Sequence, residues 1–436
     1  MAQTDRPRNI PHWYSPEGET LSLTDGEGAR VTDDEGNEYL DFLAQLYCVN
    51  AGHSNERIVE AMTEQAGRIP YVSSSKTTPA RDELAARLAD VAPGSLNDVF
   101  FSVSGSEANE AAIQIAREYQ DAPKILTRWR SYHGSTYAAG GLTGDPETRS
   151  KIERYGSATG VTKFLPPLVH NSPFDGDTPE EIAKQAADHL EFVIKNEGPD
   201  SVAAVLTEPV AGTSGAYPAP ADYFERVREI CDEYDVLLIS DEVIAGFGRC
   251  GGWFGIETYG VEPDMITFAK GVSSAYAPLA GVIADEEIAA DVREDGHDLG
   301  QTFAGHPVAC AAGNAAMDAY ADGLIDNCRE LAPYMEDQLR DLEERYDEVV
   351  HVHGRGLLWS VEFGDPETGE PLVDPRVEPD AHNPVADVRS VAQDHGVLFG
   401  SGRPDTQVLI SPPLCIDRDD IDEAVDALEA GIEATF

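Results

Sequence analysis

The sequence predicts an α/β fold with one large domain, whose mostly parallel sheet is covered by helices, and a smaller α/β domain built from both termini. Three observations support this prediction. Helical and strand-like stretches alternate from about residue 57 onward. The strand-like stretches are almost wholly apolar, as expected for strands buried on both faces. The length of 436 residues also suffices for more than one domain.

The predicted elements follow in order along the chain. Residues 19–41 alternate apolar with polar side chains around Asp-Gly and Glu-Gly turns, which is typical of short antiparallel strands. Amphipathic stretches then predict helices at 57–66, 81–90, 107–119, 179–196 and 221–233. Apolar runs predict strands at 99–103, 124–127, 202–207, 236–240 and 265–269. After about residue 311 we expect helices, strands at 357–363 and 407–411, and a closing helix at 419–434.

Domain boundaries follow from the changes in this pattern. We expect residues 1–60 to form the N-terminal part of the small domain, residues 61–310 the large domain, and residues 311–436 the C-terminal part of the small domain. In parallel sheets of this kind, ligands bind beyond the carboxyl ends of the strands. Site residues are therefore expected directly after the apolar strands of residues 61–310.

The charge balance is strongly acidic. Asp and Glu number 80 against 31 Lys and Arg, which gives a formal net charge of −49 at pH 7. Such a surface repels phosphate backbones and anionic lipids, so we expect no nucleic acid and no membrane as partners. Exposed carboxylates repel one another in dilute buffer, whereas at about 1 M salt the screening length falls to roughly 3 Å and most of this repulsion is screened. We therefore expect a cytoplasmic protein of a salt-accumulating, halophilic organism.

The sequence shows no sign of a metal site or of a membrane segment. The six cysteines are scattered without a CxxC pair, which predicts reduced thiols. His351 and His353 lie in the sequence HVHG, but no thiol or carboxylate spacing completes a metal site around them. Neither an apolar signal-peptide core at the N-terminus nor a run of 18 apolar residues is present.

The first candidate site is an anion cradle in the sequence VFFSVSGSEANEAAIQIARE (99–118). A predicted strand runs through Ser104, Gly105 and Ser106 directly into a predicted helix. The free N–H groups of a helix start bind phosphate, and a glycine there permits close approach of the anion. The alternative is ordinary capping of the helix by Ser104 or Ser106, with Gly105 as a turn residue.

Two further strands end in charged residues. The strand at 236–240 leads into Asp241, which serves either as a helix cap or as an acid of a site. The strand at 265–269 leads into Lys270, whose ammonium must there be paired, neutralised or used covalently. Pyridoxal phosphate needs this set: an anion site, an acid for its ring nitrogen and a lysine for a Schiff base.

The chain resembles the class III aminotransferases, which are pyridoxal-phosphate enzymes of fold type I, and it looks closest to their ω-amino acid:pyruvate branch. The resemblance extends from about residue 30 to the end. The matching stretches are GHSNERIVEAM (52–62), SGSEANEAAIQIAR (104–117), SYHGST (131–136), TEPVAG (207–212), ISDEVIAGFGRCGGWFG (239–255), ITFAKG (266–271), TFAGHPVACAAG (302–313), GRGLLWSVEF (354–363) and ISPPL (410–414).

The resemblance implies three residues around the reacting atoms. Lys270 would bond the cofactor pyridoxal 5'-phosphate and later shuttle a proton between substrate and cofactor. Asp241 would pair with the pyridinium nitrogen, and Glu208 of the TEP sequence would support the site nearby. Residues 61–310 would accordingly form the cofactor-binding domain.

Five further positions are implied to hold the cofactor. Tyr132 would stack on one face of its ring and Val243 would pack on the other. Gly105 and Ser106 would hold the phosphate. Thr302 would complete the phosphate site from the neighbouring subunit, which implies a homodimer with shared active sites, alone or paired into a tetramer.

The resemblance also implies residues of the substrate pocket. Tyr47, in LYCVNAGH, stands where the ω-branch carries an aromatic residue. Arg403, in GRPDTQVLISPP, resembles a mobile arginine that accepts the carboxylate of a keto acid; the alternative is a solvated arginine on a loop. Ile244, where many class III enzymes have glutamine, favours the ω-branch over an ornithine or γ-aminobutyrate specificity.

The implied function is transfer of an amino group from an amine or ω-amino acid to a keto acid, expected to be pyruvate, by a ping-pong Schiff-base mechanism. Same-fold alternatives are an aminomutase, a racemase or a decarboxylating transaminase. A non-catalytic binding protein of the same fold is an alternative from another class, against which the retained Lys270 and Asp241 argue.

Overall fold

The computed structural model describes residues 21–156, 158–295 and 300–436. The strands are β1 (Leu23–Glu27), β2 (Arg30–Asp33), β3 (Glu38–Asp41), β4 (Leu96–Ser102), β5 (Lys124–Arg128), β6 (Val161–Phe164), β7 (Val202–Thr207), β8 (Leu237–Asp241), β9 (Met265–Phe268), β10 (Ala280–Asp285), β11 (Val349–Arg355), β12 (Leu358–Phe363), β13 (Val397–Leu398), β14 (Gly400–Ser401) and β15 (Gln407–Ile410). The helices are α1 (Ala44–Tyr47), α2 (Glu56–Arg68), α3 (Pro79–Val91), α4 (Gly105–Gln120), α5 (Tyr137–Leu142), α6 (Pro146–Ile152), α7 (Pro179–Glu197), α8 (Tyr223–Tyr234), α9 (Glu286–Asp295), α10 (Pro307–Ala319), α11 (Ile325–Arg345), α12 (Pro384–Asp394) and α13 (Arg418–Thr435).

The largest sheet has seven strands in the order β4-β10-β9-β8-β7-β5-β6. Its strands β9, β8, β7, β5 and β6 run parallel, whereas β10 is antiparallel to both of its neighbours. The predicted mostly parallel sheet is therefore confirmed. Because β8 and β9 are parallel neighbours, the residues that follow them emerge at the same edge of the sheet.

Helices cover both faces of this sheet, as the residues of β8 show. Leu237 and Ile239 pack in one apolar cluster with Ile113 of α4. Leu238, between them, packs in the main core together with Leu190 of α7 and Val227 of α8. Successive side chains of a strand point to opposite faces, so the wholly apolar pattern of β8 reflects burial on both sides.

Two four-stranded sheets complete the fold, in the orders β1-β2-β3-β13 and β11-β12-β15-β14. The strands predicted within residues 19–41 are present as β1, β2 and β3, which pair antiparallel. The C-terminal strand β13 joins them in parallel to β3, through the pairs Val397 with Leu40 and Leu398 with Asp41. The two ends of the chain therefore share one sheet.

Ten of these elements were not predicted: β6, β10, β11, β13, β14, α1, α5, α6, α9 and α12. Strand β10 reads AGVIAD and begins with small residues, so its apolar run is short. Helix α9 reads EEIAADVRED, and its many acidic residues hide the apolar periodicity. Within the described ranges, no helix combines the length and the apolar character that a membrane span requires.

Candidate active site

A cavity of about 760 Å³ lies where the chain leaves the carboxyl ends of the large sheet. Nine of the ten predicted site residues line it: Tyr47, Gly105, Ser106, Tyr132, Glu208, Asp241, Val243, Lys270 and Arg403. The tenth, Thr302, does not. Segments at the ends of five strands, β4, β5, β7, β8 and β9, thus meet residues 43–48 and 401–403 around one space.

Lys270 follows β9 and has a left-handed backbone, with φ 47°. Its carbonyl accepts a hydrogen bond from the N–H of Ala275 at 3.1 Å, which holds this conformation. The Nζ atom lies 5.2 Å from the centre of the Tyr47 ring. Burial lowers the pKa of Lys270, against the opposing effects of Cys48 and Asp241. A lowered pKa makes the amine a better nucleophile at neutral pH.

Asp241 ends β8 and is held from three sides. Its Oδ2 atom accepts a hydrogen bond from Asn109 Nδ2 at 2.9 Å and lies 2.8 Å from His133 Nδ1. Its Oδ1 atom accepts the N–H of Val243 at 3.1 Å. His133 is fixed in turn by Thr127 Oγ1, 3.0 Å from its Nε2 atom. The carboxylate therefore has one orientation in the cavity.

Asn109 and His133 were not predicted, although they lie in the family-like stretches SGSEANEAAIQIAR (104–117) and SYHGST (131–136). Asn109 comes four residues after Gly105, one turn further on the same face of α4, which is a signal that could have found it. His133 follows Tyr132 directly. Their contacts with Asp241 span 132 and 108 residues of sequence, so only the folded chain shows them.

Glu208 follows β7 and is buried beside Arg128. Arg128 Nη2 donates to its Oε2 atom at 3.4 Å, and the N–H of Gly212 donates to its Oε1 atom at 3.3 Å. Burial raises the pKa of Glu208, whereas the charge of Arg128 opposes this rise. Arg128 was missed, although it ends an apolar strand just as Lys270 follows one.

The start of α4 faces the cavity and is closely packed. A Cβ atom on Gly105 would lie 2.9 Å from Cγ1 of Val243, so glycine permits this approach. Gly134 has φ 137° and passes so close to Ser106 that a Cβ atom would overlap its hydroxyl. The N–H of Ser135 donates to Ser106 Oγ at 3.1 Å. Backbone N–H groups are thus presented to the cavity from a helix start.

The Ser-Gly-Ser sequence divides between the cap and the first turn of α4. Ser104 is the cap, since its Oγ atom accepts the N–H of Glu107 at 3.3 Å. Gly105 and Ser106 are the first residues of the helix and line the cavity. Capping is therefore observed at Ser104, whereas phosphate binding at Gly105 and Ser106 stays a prediction. The helix begins two residues before the predicted position near Glu107.

The turn that carries Tyr47 is unusual in its backbone. Ala44, Gln45 and Tyr47 have φ values of 46°, 62° and 60°, a region that residues with a Cβ atom seldom adopt. The buried carboxylate of Asp41 holds the turn by accepting the N–H of Gln45 at 3.0 Å and by contacting His53 Nε2 at 2.9 Å. Asp41 was not predicted.

Arg403 lies in the wall of the cavity, with its guanidinium 5.7 Å from the centre of the Tyr132 ring. Its Nη1 atom forms an ion pair with Asp145 Oδ2 at 3.1 Å, and its side chain is 21% exposed. Arg403 is therefore a paired and only partly exposed arginine on a loop, and its binding of a substrate carboxylate stays a prediction. Its partner Asp145 was missed.

Thr302 is exposed and remote from the cavity that this chain lines. Its carbonyl accepts a hydrogen bond from the hydroxyl of Tyr71 at 3.0 Å. The exposed rings of Tyr71 and Phe303 lie beside it, 6.1 Å apart. A role of Thr302 at the phosphate stays a prediction that requires a second subunit.

The geometry can now be compared with known proteins. A family model described as Aminotransferase class-III matches residues 14–432. The chain belongs to the class III aminotransferases. A diaminobutyrate--2-oxoglutarate transaminase of Halomonas elongata is 33% identical over 427 residues, which cover 94% of this aminotransferase and 89% of that protein.

Two solved structures resemble this aminotransferase over nearly its whole length. An amine transaminase from an uncultivated Pseudomonas species, solved with PLP bound, is 30% identical with a TM-score of 0.92, and the match covers 99% of this chain and 100% of that one. An (S)-enantioselective omega-transaminase from Thermomicrobium roseum is 34% identical with a TM-score of 0.90, at coverages of 98% and 97%. The predicted family, fold type I and enzyme class are confirmed.

Class III aminotransferases depend on pyridoxal phosphate (PLP), so the cofactor prediction is confirmed as well. The residues of this aminotransferase fit that group. A helix start presents N–H groups for a phosphate, Asp241 offers a fixed carboxylate, and the amine of Lys270 forms no ion pair with any residue that the structure describes. The conjunction of these three features distinguishes the cavity from a simple capped helix.

Proposed function

We propose that this aminotransferase is an ω-transaminase that transfers an amino group from an amine or ω-amino acid to pyruvate, in two half-reactions at the cavity around Lys270. The observation that carries the proposal is the position of the Lys270 amine. It shares one cavity with the fixed carboxylate of Asp241 and with the guanidinium of Arg403. Proton transfer and carboxylate binding can then serve both half-reactions in the same place.

The cofactor side would be organised by five residues. When bound, PLP supplies an electron sink for the substrate carbon and carries the amino group between the half-reactions. Asp241 would accept the N–H of the pyridine ring, with its orientation set by Asn109 and His133. The start of α4, at Gly105 and Ser106, would receive the phosphate.

Lys270 performs the proton transfer in this proposal. Its Nζ atom takes a proton from the carbon that bears the amino group and returns it across the carbon–nitrogen bond. Tyr132 and Val243 line the same cavity and would confine the reacting atoms. Glu208, paired with Arg128, partly offsets the effect of burial on the pKa of Lys270.

The substrate side combines several apolar side chains with one guanidinium. Leu46, Tyr47, Val210 and Ile244 line it together with Arg403. Such a wall suits a donor with an uncharged body, while Arg403 can bind the carboxylate of a keto acid. The two similar structures are those of an amine transaminase and an omega-transaminase, which supports this specificity. The 2-oxoglutarate in the name of the Halomonas relative makes that keto acid the acceptor to compare with pyruvate.

We also propose a homodimer in which Thr302 of each subunit reaches the cavity of the other. The exposed apolar residues Leu46, Tyr71 and Phe303 support it, since they are 46%, 42% and 60% exposed. Large apolar groups of this kind mark contact surfaces. Light scattering should show twice the mass of the 47.1 kDa chain or a multiple of it. A monomer that binds PLP and turns over would contradict the shared site.

The strongly acidic composition supports a further proposal, that the fold requires high salt. The net charge of −49 destabilises the compact state in dilute buffer, because exposed carboxylates repel one another. The melting temperature should therefore rise as KCl is raised toward the molar range. A melting temperature that is independent of KCl would contradict the proposal.

The central experiment is a visible absorption spectrum of the purified protein in molar KCl, taken before and after adding amine donors and then pyruvate. We expect a PLP band that is lost with a donor and restored by pyruvate, together with a ketone or aldehyde and alanine as separate products. The Lys270→Ala variant should lack this cycle. Lys163→Met is the matched control, since Lys163 is another partly buried lysine and lies outside the cavity.

Each outcome that departs from this expectation has a distinct meaning. A single product with the amino group moved or inverted would indicate an aminomutase or a racemase, and release of carbon dioxide would indicate a decarboxylating transaminase. Restoration by 2-oxoglutarate but not by pyruvate would overturn the proposed acceptor. A cycle that survives in Lys270→Ala would overturn the proposed role of the lysine.

A further inference from the structure

Arg403 is held at the cavity through only part of its guanidinium. Its backbone N–H donates to the carbonyl of Thr213 at 2.9 Å, which fixes the loop between β14 and β15. In the side chain, Nη1 donates to Asp145 Oδ2 at 3.1 Å and to Thr148 Oγ1 at 2.8 Å. The Nε and Nη2 atoms form no hydrogen bond with any residue in the described part of the chain. One edge of the fork is therefore left for a ligand.

Asp145 is a buried carboxylate with several fixed donors around it. It caps α6 by accepting the N–H of Glu147 at 3.2 Å and the N–H of Thr148 at 3.0 Å. Thr148 Oγ1 donates to Asp145 Oδ2 at 2.7 Å, and the side chain of Asp145 is 2% exposed. Burial alone would raise the pKa of Asp145, but the hydrogen bonds from Thr148 and the charge of Arg403 outweigh it and lower the pKa. Asp145 is therefore an anion at neutral pH.

We propose that Asp145 is a specificity-determining residue, whose carboxylate shares the charge of Arg403 and thereby weakens the binding of substrate carboxylates relative to donors without one. The inference rests on the proposed role of Arg403 in the ω-transaminase reaction. Two anions on one guanidinium repel each other, so the protein carboxylate and the substrate carboxylate compete. Asp145 thus keeps the pocket open to both classes of substrate.

The geometry separates this charge effect from a merely structural one. Asn is as good a helix cap as Asp, and its side-chain oxygen can still accept hydrogen bonds from Thr148 and Arg403. The Asp145→Asn variant therefore removes the charge and keeps the cap. Glu147 lies two residues away and is exposed, so Glu147→Gln is a control with the same change of net charge outside the cavity.

The experiment measures KM for pyruvate and for 1-phenylethylamine, a donor without a carboxylate, in the PLP-loaded protein. It also measures the dissociation constant of propionate, which carries a carboxylate but cannot react, by calorimetry. In Asp145→Asn we expect KM for pyruvate and the propionate constant each to fall roughly fivefold, on the scale of a single partly screened charge. KM for 1-phenylethylamine should stay unchanged, and Glu147→Gln should alter none of the three values.

The contrary results are equally specific. A rise of the dissociation constant of propionate in Asp145→Asn would show that Asp145 acts only by holding Arg403. An unchanged dissociation constant would show that Asp145 does not share the charge of Arg403. Either result overturns the inference. If Asp145→Asn melts early, Asp145→Ser keeps a capping oxygen without the charge and serves in its place. With either variant, the dissociation constant of propionate decides whether the inference holds.

An additional variant separates this inference from the function on which it rests. Arg403→Gln should raise the propionate constant and KM for pyruvate, because it removes the carboxylate-binding group. If Arg403→Gln changes neither value, the proposed carboxylate site has failed. If Arg403→Gln weakens propionate binding and Asp145→Asn does not strengthen it, only the role of Asp145 has failed.

Discussion

The two halves of the cavity are built in different ways. The cofactor half consists of residues that directly follow parallel strands of one sheet, and it is braced by buried side chains such as His133, 2.8 Å from Asp241. The substrate half consists of a left-handed turn at residues 44–47 and of the loop that carries Arg403, whose guanidinium is paired with Asp145 outside the lining. Under the proposed function, the reaction depends on residues at the ends of the sheet strands, and specificity depends on segments outside that sheet.

The largest effect is expected from Asp241→Asn in the cofactor half. A neutral amide cannot keep the pyridine nitrogen protonated, so kcat should fall about a hundredfold to a thousandfold. Because the group serves every reaction, the loss should be the same for each donor and for pyruvate. Steady-state kinetics with three donors measures this. A loss confined to one donor would contradict the division into two halves.

The next largest effect is expected from His133→Leu, one contact away from the reacting atoms. The variant removes the imidazole that lies 2.8 Å from Asp241 Oδ2 and leaves Asn109 as its side-chain partner on that atom. Supporting residues of this kind in metal sites are worth about tenfold to a hundredfold, and we expect a similar loss of kcat here. His189→Leu is the control, because His189 lies on α7 outside the cavity.

A smaller and different effect is expected from Asp41→Asn in the substrate half. The amide can no longer accept all the hydrogen bonds that hold the turn at Gln45, and each left-handed residue there costs about 1 kcal/mol or more. KM for amine donors should rise about tenfold, with kcat nearly unchanged. In a Tyr47→Ala background the same substitution should have little further effect. Equal losses in both backgrounds would show that Asp41 does not act through Tyr47.

The smallest effect is a shift on the pH axis in the cofactor half. Bond formation between Lys270 and PLP requires the neutral amine, and burial lowers the pKa of this lysine from 10.5. The rate at which apoprotein regains its visible band should therefore rise with pH and reach its midpoint below pH 10.5. Stopped-flow absorbance over a series of buffers measures it. A midpoint at or above 10.5 would contradict the assigned environment of Lys270.

Prediction from the sequence succeeded for features that depend only on residues close together in the chain. The strands that lead into the cofactor half are apolar runs with a candidate site residue at their carboxyl end, as in β8 with Asp241 and β9 with Lys270. The parallel sheet followed from the same apolar runs, and its covering helices followed from the amphipathic stretches between them. The domain boundaries near residues 60 and 310 stay a prediction, although the pairing of β13 with β3 supports the shared use of both ends of the chain.

The residues that were missed share one property. Asn109, His133, Asp41 and Asp145 are polar groups that hold another residue. Apart from the helical spacing of Asn109 from Gly105, nothing in their immediate sequence distinguishes them from capping or surface residues. Asp145 and Arg403 are 258 residues apart in the sequence. Contacts of this kind depend on how the smaller sheets dock beside the large one.

The sequence by itself determined the apolar parallel strands of the large sheet, the helix start at residues 104–106, and the carboxylate and amine at the strand ends, because these follow from burial and from the local start of a helix. Only the tertiary structure decided which buried groups fix Asp241, which carboxylate neutralises Arg403, and that Thr302 lies apart from its own chain's cavity. The physical reason is that hydrogen bonds and ion pairs need distances of about 3 Å, which only packing sets between distant segments.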